Sequence, residues 1–246
     1  MISRCRKKAM RDDLGPFDVE IEPGLKARLH PFSNRCEKRA FAGIQIWDNF
    51  ERTALKQAIE MHPEQPFTFL DVGANVGLYS LYVDYYAKAI GRQTHIIAIE
   101  PSLEICARLE DNVAINDTKI RIIRAAVSDV PGTGQINKPG NNLGETKLLE
   151  NIGGEDSNIV IIDTLARICR TQGINTIDAL KLDVEGQDHK TLKAFFEDAP
   201  LRLHPSLLIL ETGHMKHSPL IALCEAHDYE VKAVAGLNTI LEKRNV

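Results

Sequence analysis

The sequence predicts an α/β domain: a mostly parallel sheet with helices on both faces and an antiparallel hairpin at its C-terminal end. Three observations lead there. Phe67–Leu70 is a short apolar run, rich in aromatic residues, that passes through the small residues Gly73, Ala74 and Gly77 into a helical stretch, Leu78–Ala89. Apolar runs and stretches of helical spacing then alternate, the rhythm of parallel strands joined by right-handed crossovers. Finally, Tyr229–Ala235 and Thr239–Glu242 are separated only by Gly236-Leu237-Asn238, which reads as a hairpin at the sheet's edge.

The elements follow in order. Residues 1–16 show no periodicity; Met1–Arg11 is basic, Asp12 and Asp13 follow, and the stretch reads as a solvated terminus. Residues 1–48 form an N-terminal extension of short extended pieces, Phe17–Ile21, Lys26–Leu29 and Phe41–Ile46, punctuated by Pro23, Pro31 and Ser33-Asn34-Arg35. The main domain spans 49–246. Asp48 is placed to cap a helix through Met61, where Phe50, Ala54, Leu55, Ala58 and Ile59 recur at helical spacing. After Phe67–Ala89 comes a second strand, His95–Ile99, ending at Glu100-Pro101. Ser102 caps a helix from Leu103 to about Ile115. Ile120–Ile123 is a third strand, running on towards Ala125–Asp129. Residues 131–158 are crowded with glycine and asparagine, and read as an inserted loop or hairpin. Ile159–Ile162 is apolar, with Asp163 as cap for a helix over Thr164–Thr171. Ala179–Val184 is the fourth core strand, leading through Glu185-Gly186 into a helix over about His189–Phe196. Ser206–Leu210 is the fifth, closing on Glu211, and Pro219–His227 is the last helix.

Bulk properties narrow the function classes. The 246 residues suit one domain with a sizeable core, and 43% hydrophobic with 26% charged residues is an ordinary globular composition. A formal net charge of -4 disfavours a nucleic-acid-binding surface. The five cysteines are scattered with no CxxC, which suits a reducing, cytoplasmic setting rather than a disulfide framework. No run reaches the roughly 18 apolar residues of a membrane span, and there is no secretory apolar region.

Chemistry gathers at three strand ends. A strand that turns into a helix leaves N–H groups pointing at whatever sits above the turn. In Asp71-Val72-Gly73-Ala74-Asn75-Val76-Gly77 the glycines fit neither a dinucleotide fingerprint nor a P-loop. A carboxylate at Asp71 repels a pyrophosphate but welcomes a cationic ligand. S-Adenosylmethionine has a sulfonium cation, an ammonium that Asp71 could serve directly or through water, and a carboxylate for the turn's N–H groups; the competing reading is a structural turn with an exposed Asp71. Glu100 ends the next strand, where a carboxylate accepts both hydroxyls of a ribose. Val127 and Asp129 stand where the adenine wall is expected, although Asp129 equally suits a turn before Pro131-Gly132. Lys181, Asp183 and Glu185 are spaced by two and share a side of an extended strand. Asp183 and Glu185 there suit a general base, metal ligation or orientation of an acceptor hydroxyl; the alternative is a Lys181–carboxylate network that holds the strand ends. His214, after Glu211, is a second candidate base. No metal is required; a divalent cation, if used, falls to Asp183 and Glu211.

Asp71–Ser80, Glu100-Pro101, Ala126–Asp129, Lys181–Gly186 and Leu210-Glu211, in that order, resemble the motif series of the FkbM family of S-adenosylmethionine-dependent methyltransferases, over roughly residues 45–215. The resemblance implies a class I, Rossmann-like methyltransferase fold with a seven-stranded sheet. It implies O-methylation of a hydroxyl on a sugar, glycolipid or polyketide-like small molecule, with S-adenosylmethionine bound by Asp71, Gly73, Ala74, Asn75, Gly77, Glu100, Val127 and Asp129. Asp183, His214 and Glu185 are the catalytic candidates. Asp188 stands where the family often has Glu. Two rivals remain: a non-catalytic methyltransferase-like binding protein, and a Rossmann-like oxidoreductase, which the failed glycine spacing disfavours.

Overall fold

A computed structural model describes residues 15–45, 47–61, 65–137, 147–149, 159–213 and 218–244. The chain opens with an antiparallel pair, β1 (Phe17–Glu22) and β2 (Leu25–Leu29). Two helices follow, α1 (Arg35–Ala42) and α2 (Asn49–Met61). The first takes in Phe41 and Ala42, the start of the extended piece expected over Phe41–Ile46; residues 43–45 are not a strand, and Ile46 lies outside the described residues. Asn34 caps α1, its side-chain oxygen accepting from Cys36 and Glu37 N–H, and the helix stops at Gly43, whose φ of 132° no helix tolerates. The Asp48 carboxylate, expected as a helix cap, is turned instead to Arg39 and to the Tyr79 hydroxyl.

Then comes the main run: β3 (Phe67–Val72), α3 (Leu78–Ala89), β4 (Thr94–Ile99), α4 (Leu103–Ile115) and β5 (Arg121–Ile123). The third strand does not run on. The chain leaves the sheet at Arg124, and Ala126–Val127 (β6) enters a second sheet with β7 (Gly132–Asn137), β8 (Lys147–Leu149) and β9 (Ile159–Asp163). β7 and β8 pair antiparallel, so the inserted segment contains a hairpin. Asp163 is the last residue of β9, and Thr164 caps α5 (Leu165–Thr171) through its hydroxyl. The rest is β10 (Ala179–Leu182), α6 (Asp188–Asp198), β11 (Leu207–Glu211), α7 (Pro219–Ala226), β12 (Tyr229–Ala235) and β13 (Asn238–Lys243).

The main sheet has seven strands in the order β12-β13-β11-β10-β3-β4-β5. β11, β10, β3, β4 and β5 are parallel, and β13 runs antiparallel to both its neighbours. This is the sheet that the sequence predicts. β3 lies inside the sheet, between β10 and β4, buried on both faces, and its alternation divides the core. Phe67 and Phe69 face one apolar cluster with Leu55, Leu81 and Leu109; Leu70 and Val72 face the other, with Ile168, Leu192 and Leu208. Ile21, Leu25, Leu29, Phe41 and Trp47 belong to the first cluster, so the N-terminal extension shares its core with the main domain. No helix among the described residues is long and apolar enough to cross a membrane.

Candidate active site

The C-terminal ends of β3, β4, β10 and β11 meet at one edge, where open parallel sheets bind ligands. The turn between β3 and α3 is built by close approach. Gly73 has φ +75°, and a Cβ there would lie 1.8 Å from the Asp183 carbonyl oxygen, so no side chain fits. The turn's N–H groups do not face outwards as expected. Gly73 and Ala74 N–H donate to Ile99 O, at 2.9 and 3.0 Å, and Gly77 N–H to Ala74 O at 2.9 Å. Asn75 N–H donates to Glu100 Oε2 at 3.0 Å, and Val76 N–H to Asn75 Oδ1 at 2.9 Å. The carbonyl of Ile99 and the carboxylate of Glu100 take the amides that a ligand was expected to take. The turn therefore offers shape and the Asn75 side chain.

Asp71 lies below the turn, not at its mouth. It is fully buried, and its Oδ2 accepts from Ser80 N–H at 3.1 Å and Ser80 Oγ at 2.7 Å, fixing the first turn of α3. Burial raises its pKa despite the nearby Lys181. Gly77 packs against Leu109 rather than a ligand space. Asp129 is drawn to Ser128 Oγ at 2.9 Å and to Lys190 at 3.4 Å, which turns it from the hollow beside Val127.

That first hollow is lined by Gly73, Asn75, Glu100, Val127, Asp183 and Glu185, and also by Ile99, Ala126 and Ile136. Ile136 comes from the inserted hairpin and was not among the residues singled out from the sequence. Glu100 lies on its floor. Each carboxylate oxygen already accepts one backbone N–H: Oε2 from Asn75, and Oε1 from Ser102 at 2.9 Å. Burial pushes its pKa up to about 7, against the pull of those two N–H groups.

On the other side of Gly73 and Asp183 is a second, polar cavity of about 340 Å³. Arg35, Arg39, Tyr79, Lys181, Glu211 and the Gly236–Asn238 turn line it, together with Asn75, Asp183 and Glu185. Lys181 is 6% exposed; its Nζ is 3.1 Å from Asp183 Oδ2, 3.5 Å from Gly73 O and 5.4 Å from the centre of the Tyr79 ring. Burial works against its charge, but the Asp183 and Asp71 carboxylates outweigh that and raise its pKa. β10 ends at Leu182, and Glu185 takes a left-handed φ of 53°. Asp188 ties this turn together: Oδ1 accepts Val184 N–H at 3.0 Å and Oδ2 Gly186 N–H at 3.1 Å. One carboxylate oxygen each of Asp183, Glu185 and Glu211 lies within 4.8 Å of the others, an oxygen set that a hard divalent cation could share. Burial, then the Asp183 charge, pushes Glu211 up to about 8. His214 lies outside the described residues.

Comparison with known proteins bears on this arrangement. Residues 71–231 match the Methyltransferase FkbM domain family. The methyltransferase sdnD of Sordaria araneosa is 30% identical over 167 residues, 55% of this chain and 62% of its own length, so this chain spans less than two thirds of that relative. The crystal structure of methyltransferase FkbM from Methylobacillus flagellatus superposes with a TM-score of 0.50 at 15% identity, over 72% of this chain and 43% of the other. A SAM-dependent methyltransferase from Agrobacterium tumefaciens also gives a TM-score of 0.50, at 14% identity, over 94% and 70%. At such identities the two structures speak to the fold alone, and they agree with the seven-stranded sheet. The family match covers both hollows' shared wall, from the β3 turn to Glu211, and on it the chain belongs to the FkbM family of methyltransferases.

Proposed function

We propose that this protein transfers a methyl group from S-adenosylmethionine to a hydroxyl of a small molecule such as a sugar, glycolipid or polyketide. One observation carries the reading: two adjoining hollows share the wall Gly73, Asn75, Asp183 and Glu185. A donor in the first and an acceptor in the second meet at Asp183. The residues suit the donor. Glu100 keeps lone pairs for the two ribose hydroxyls, since each oxygen accepts a single N–H. Ile99, Ala126, Val127 and Ile136 offer an apolar wall for adenine.

When bound, S-adenosylmethionine supplies an activated methyl group, and its transfer leaves S-adenosylhomocysteine. The protein's own part is orientation and proton removal. Asp183 takes the acceptor's hydroxyl proton, since an alcohol is a poor nucleophile while protonated. Lys181 holds the Asp183 carboxylate in place at 3.1 Å and stays cationic. The second cavity is of a size for a small ligand, near the lower end of the ~300–1,000 Å³ typical of such sites. Holding the two reactants in contact supplies much of the rate.

The test has two stages. Calorimetry should detect binding of S-adenosylhomocysteine, and a methyl-transfer assay on a panel of hydroxylated acceptors should find turnover. Absence of nucleoside binding overturns the donor assignment. Binding with no transfer to any acceptor favours a non-catalytic binding protein. Turnover that survives a chelator leaves Asp183 as base with no role for a cation.

A further inference from the structure

Residues 15–45 precede the family match, yet one of them reaches into the donor turn. Asn75 is a non-glycine residue held at φ 52°, in the left-handed region. Asparagine tolerates that region better than most residues. The conformation persists because Asn75 is fixed at two points. Its N–H donates to Glu100, and its Oδ1 accepts from Val76 N–H at 2.9 Å and from Asn34 Nδ2 at 2.6 Å. The orientation of both amides follows from the backbone. Asn34 Oδ1 accepts Cys36 N–H at 2.9 Å and Glu37 N–H at 3.3 Å, which leaves its Nδ2 as the donor towards Asn75.

Asn34 is itself rigidly held. It is 2% exposed. Glu37, one turn into α1, is buried; it accepts from His30 N–H and, at 2.9 Å, from Arg108 Nη1 on α4. Arg108 also reaches Ser33 Oγ at 3.1 Å. The start of α1 is thereby fastened to the same helix that Glu100 and Ser102 introduce.

We propose that Asn34 is a positioning residue for the donor site: through Asn75 it sets the turn that aims Glu100 at the ribose. The inference rests on the donor reading above. The opposing view is that Asn34 only caps α1, and the chemistry of the side chain separates the two. Asn34→Asp and Asn34→Ser both retain a cap acceptor, since these residues cap about as well as asparagine. Neither makes the bond to Asn75: the aspartate sets oxygen against oxygen, and the serine hydroxyl, one bond nearer the backbone, is too short to reach. Asn34→Ala loses both cap and bond.

The readouts are S-adenosylhomocysteine affinity by calorimetry, the thermal midpoint, and amide exchange at Val76. Expected is about tenfold weaker binding in all three variants, the scale of one lost hydrogen bond to a half-buried acceptor. Val76 should exchange faster in each, and the thermal midpoint should fall most in Asn34→Ala. Wild-type affinity in both Asn34→Asp and Asn34→Ser overturns the proposal and leaves the donor reading untouched. If the wild type binds no nucleoside, the donor reading fails instead. Amide exchange then decides: unchanged Val76 exchange in the two cap-retaining variants removes the positioning role, and faster exchange with α1 still protected supports it.

Discussion

Gly73 and Gly91 share a left-handed φ, +75° and +74°, and differ in what surrounds them. A Cβ on Gly91 meets nothing within 4 Å, whereas one on Gly73 falls 1.8 Å from Asp183 O and 2.8 Å from its carbonyl carbon. Substituting each with alanine therefore separates backbone strain from collision. Gly91→Ala carries the strain alone, about 1–2 kcal/mol. In Gly73→Ala the Asp183 carbonyl must recede by about 1.6 Å to reach ordinary contact at 3.4 Å. Such a shift breaks the Asp183 N–Val72 O bond, 3.0 Å long, and strains the Gly73 N–Ile99 O bond beside it. At about 1 kcal/mol each, added to the strain, the total is roughly 3–4 kcal/mol. For a chain of this size that lowers the thermal midpoint by roughly 6–15 °C, against a few degrees for Gly91→Ala. Differential scanning calorimetry on the two variants gives the comparison, and calorimetric titration adds that only Gly73→Ala loses nucleoside affinity. Equal midpoints for the two alanines would refute the close-approach argument.

Glu100 gives a pH test. The hydroxyl donors of a ribose favour the carboxylate, so binding displaces a proton and strengthens as pH rises through about 7, the value to which burial pushes this group. S-Adenosylhomocysteine affinity should rise about tenfold from pH 6 to pH 8 in the wild type and stay level in Glu100→Gln; a level wild-type profile removes the ribose assignment. In the free protein the sign is opposite. The folded pKa is raised from 4.5, so the group's contribution to stability is fully present below that value and is lost as pH climbs through about 7. Glu100→Gln should accordingly gain on the wild type in urea melts across that window. Asp183→Asn should leave nucleoside affinity within about threefold and reduce turnover by 10²-fold or more, the scale of a lost general base; undiminished turnover would move the base elsewhere. Asn112 is fully buried, accepting Arg28 N–H at 2.7 Å and donating to Val76 O at 3.0 Å. Asn112→Leu orphans both groups and should cost about 2–4 kcal/mol by urea denaturation, a loss that an exposed or plastic site would not show.

The elements that the sequence shows best are those whose cause is local. β3, the helix after it and the Ser102 cap follow from apolar runs, small residues and one hydroxyl, and all are found as expected. The hairpin of β12 and β13 is equally local, with Gly236 at φ 63° in its turn. What escapes is set by partners distant in the chain. Helix α1 has only 8 residues, and Ser33-Asn34-Arg35 reads as a turn unless Asn34 is seen as a cap with Glu37 three residues on. The turn's amides look free in the sequence because their acceptors, Ile99 and Glu100, lie some 25 residues away. Asp163 and Thr164 both suit a cap, and pairing of β9 with β6 decides between them by keeping Asp163 in a strand. Glu100, Val127, Asp183 and Glu185 do line one hollow, since strand ends in a parallel sheet converge whatever their separation.

The two hollows also differ in how far they lie within the family match. Every residue lining the first hollow lies within 71–231, the span common to the family. The second borrows Asn34, Arg35, Cys36, Arg39 and Asp48 from before that span, and Ala235, Gly236, Leu237 and Asn238 from beyond it. On the proposed reading, the donor hollow draws its lining from the matched span alone, whereas the acceptor cavity draws on both flanks as well. Exchanging the flanks between two such proteins, with the middle and Asn34 left intact, tests whether acceptor preference travels with them.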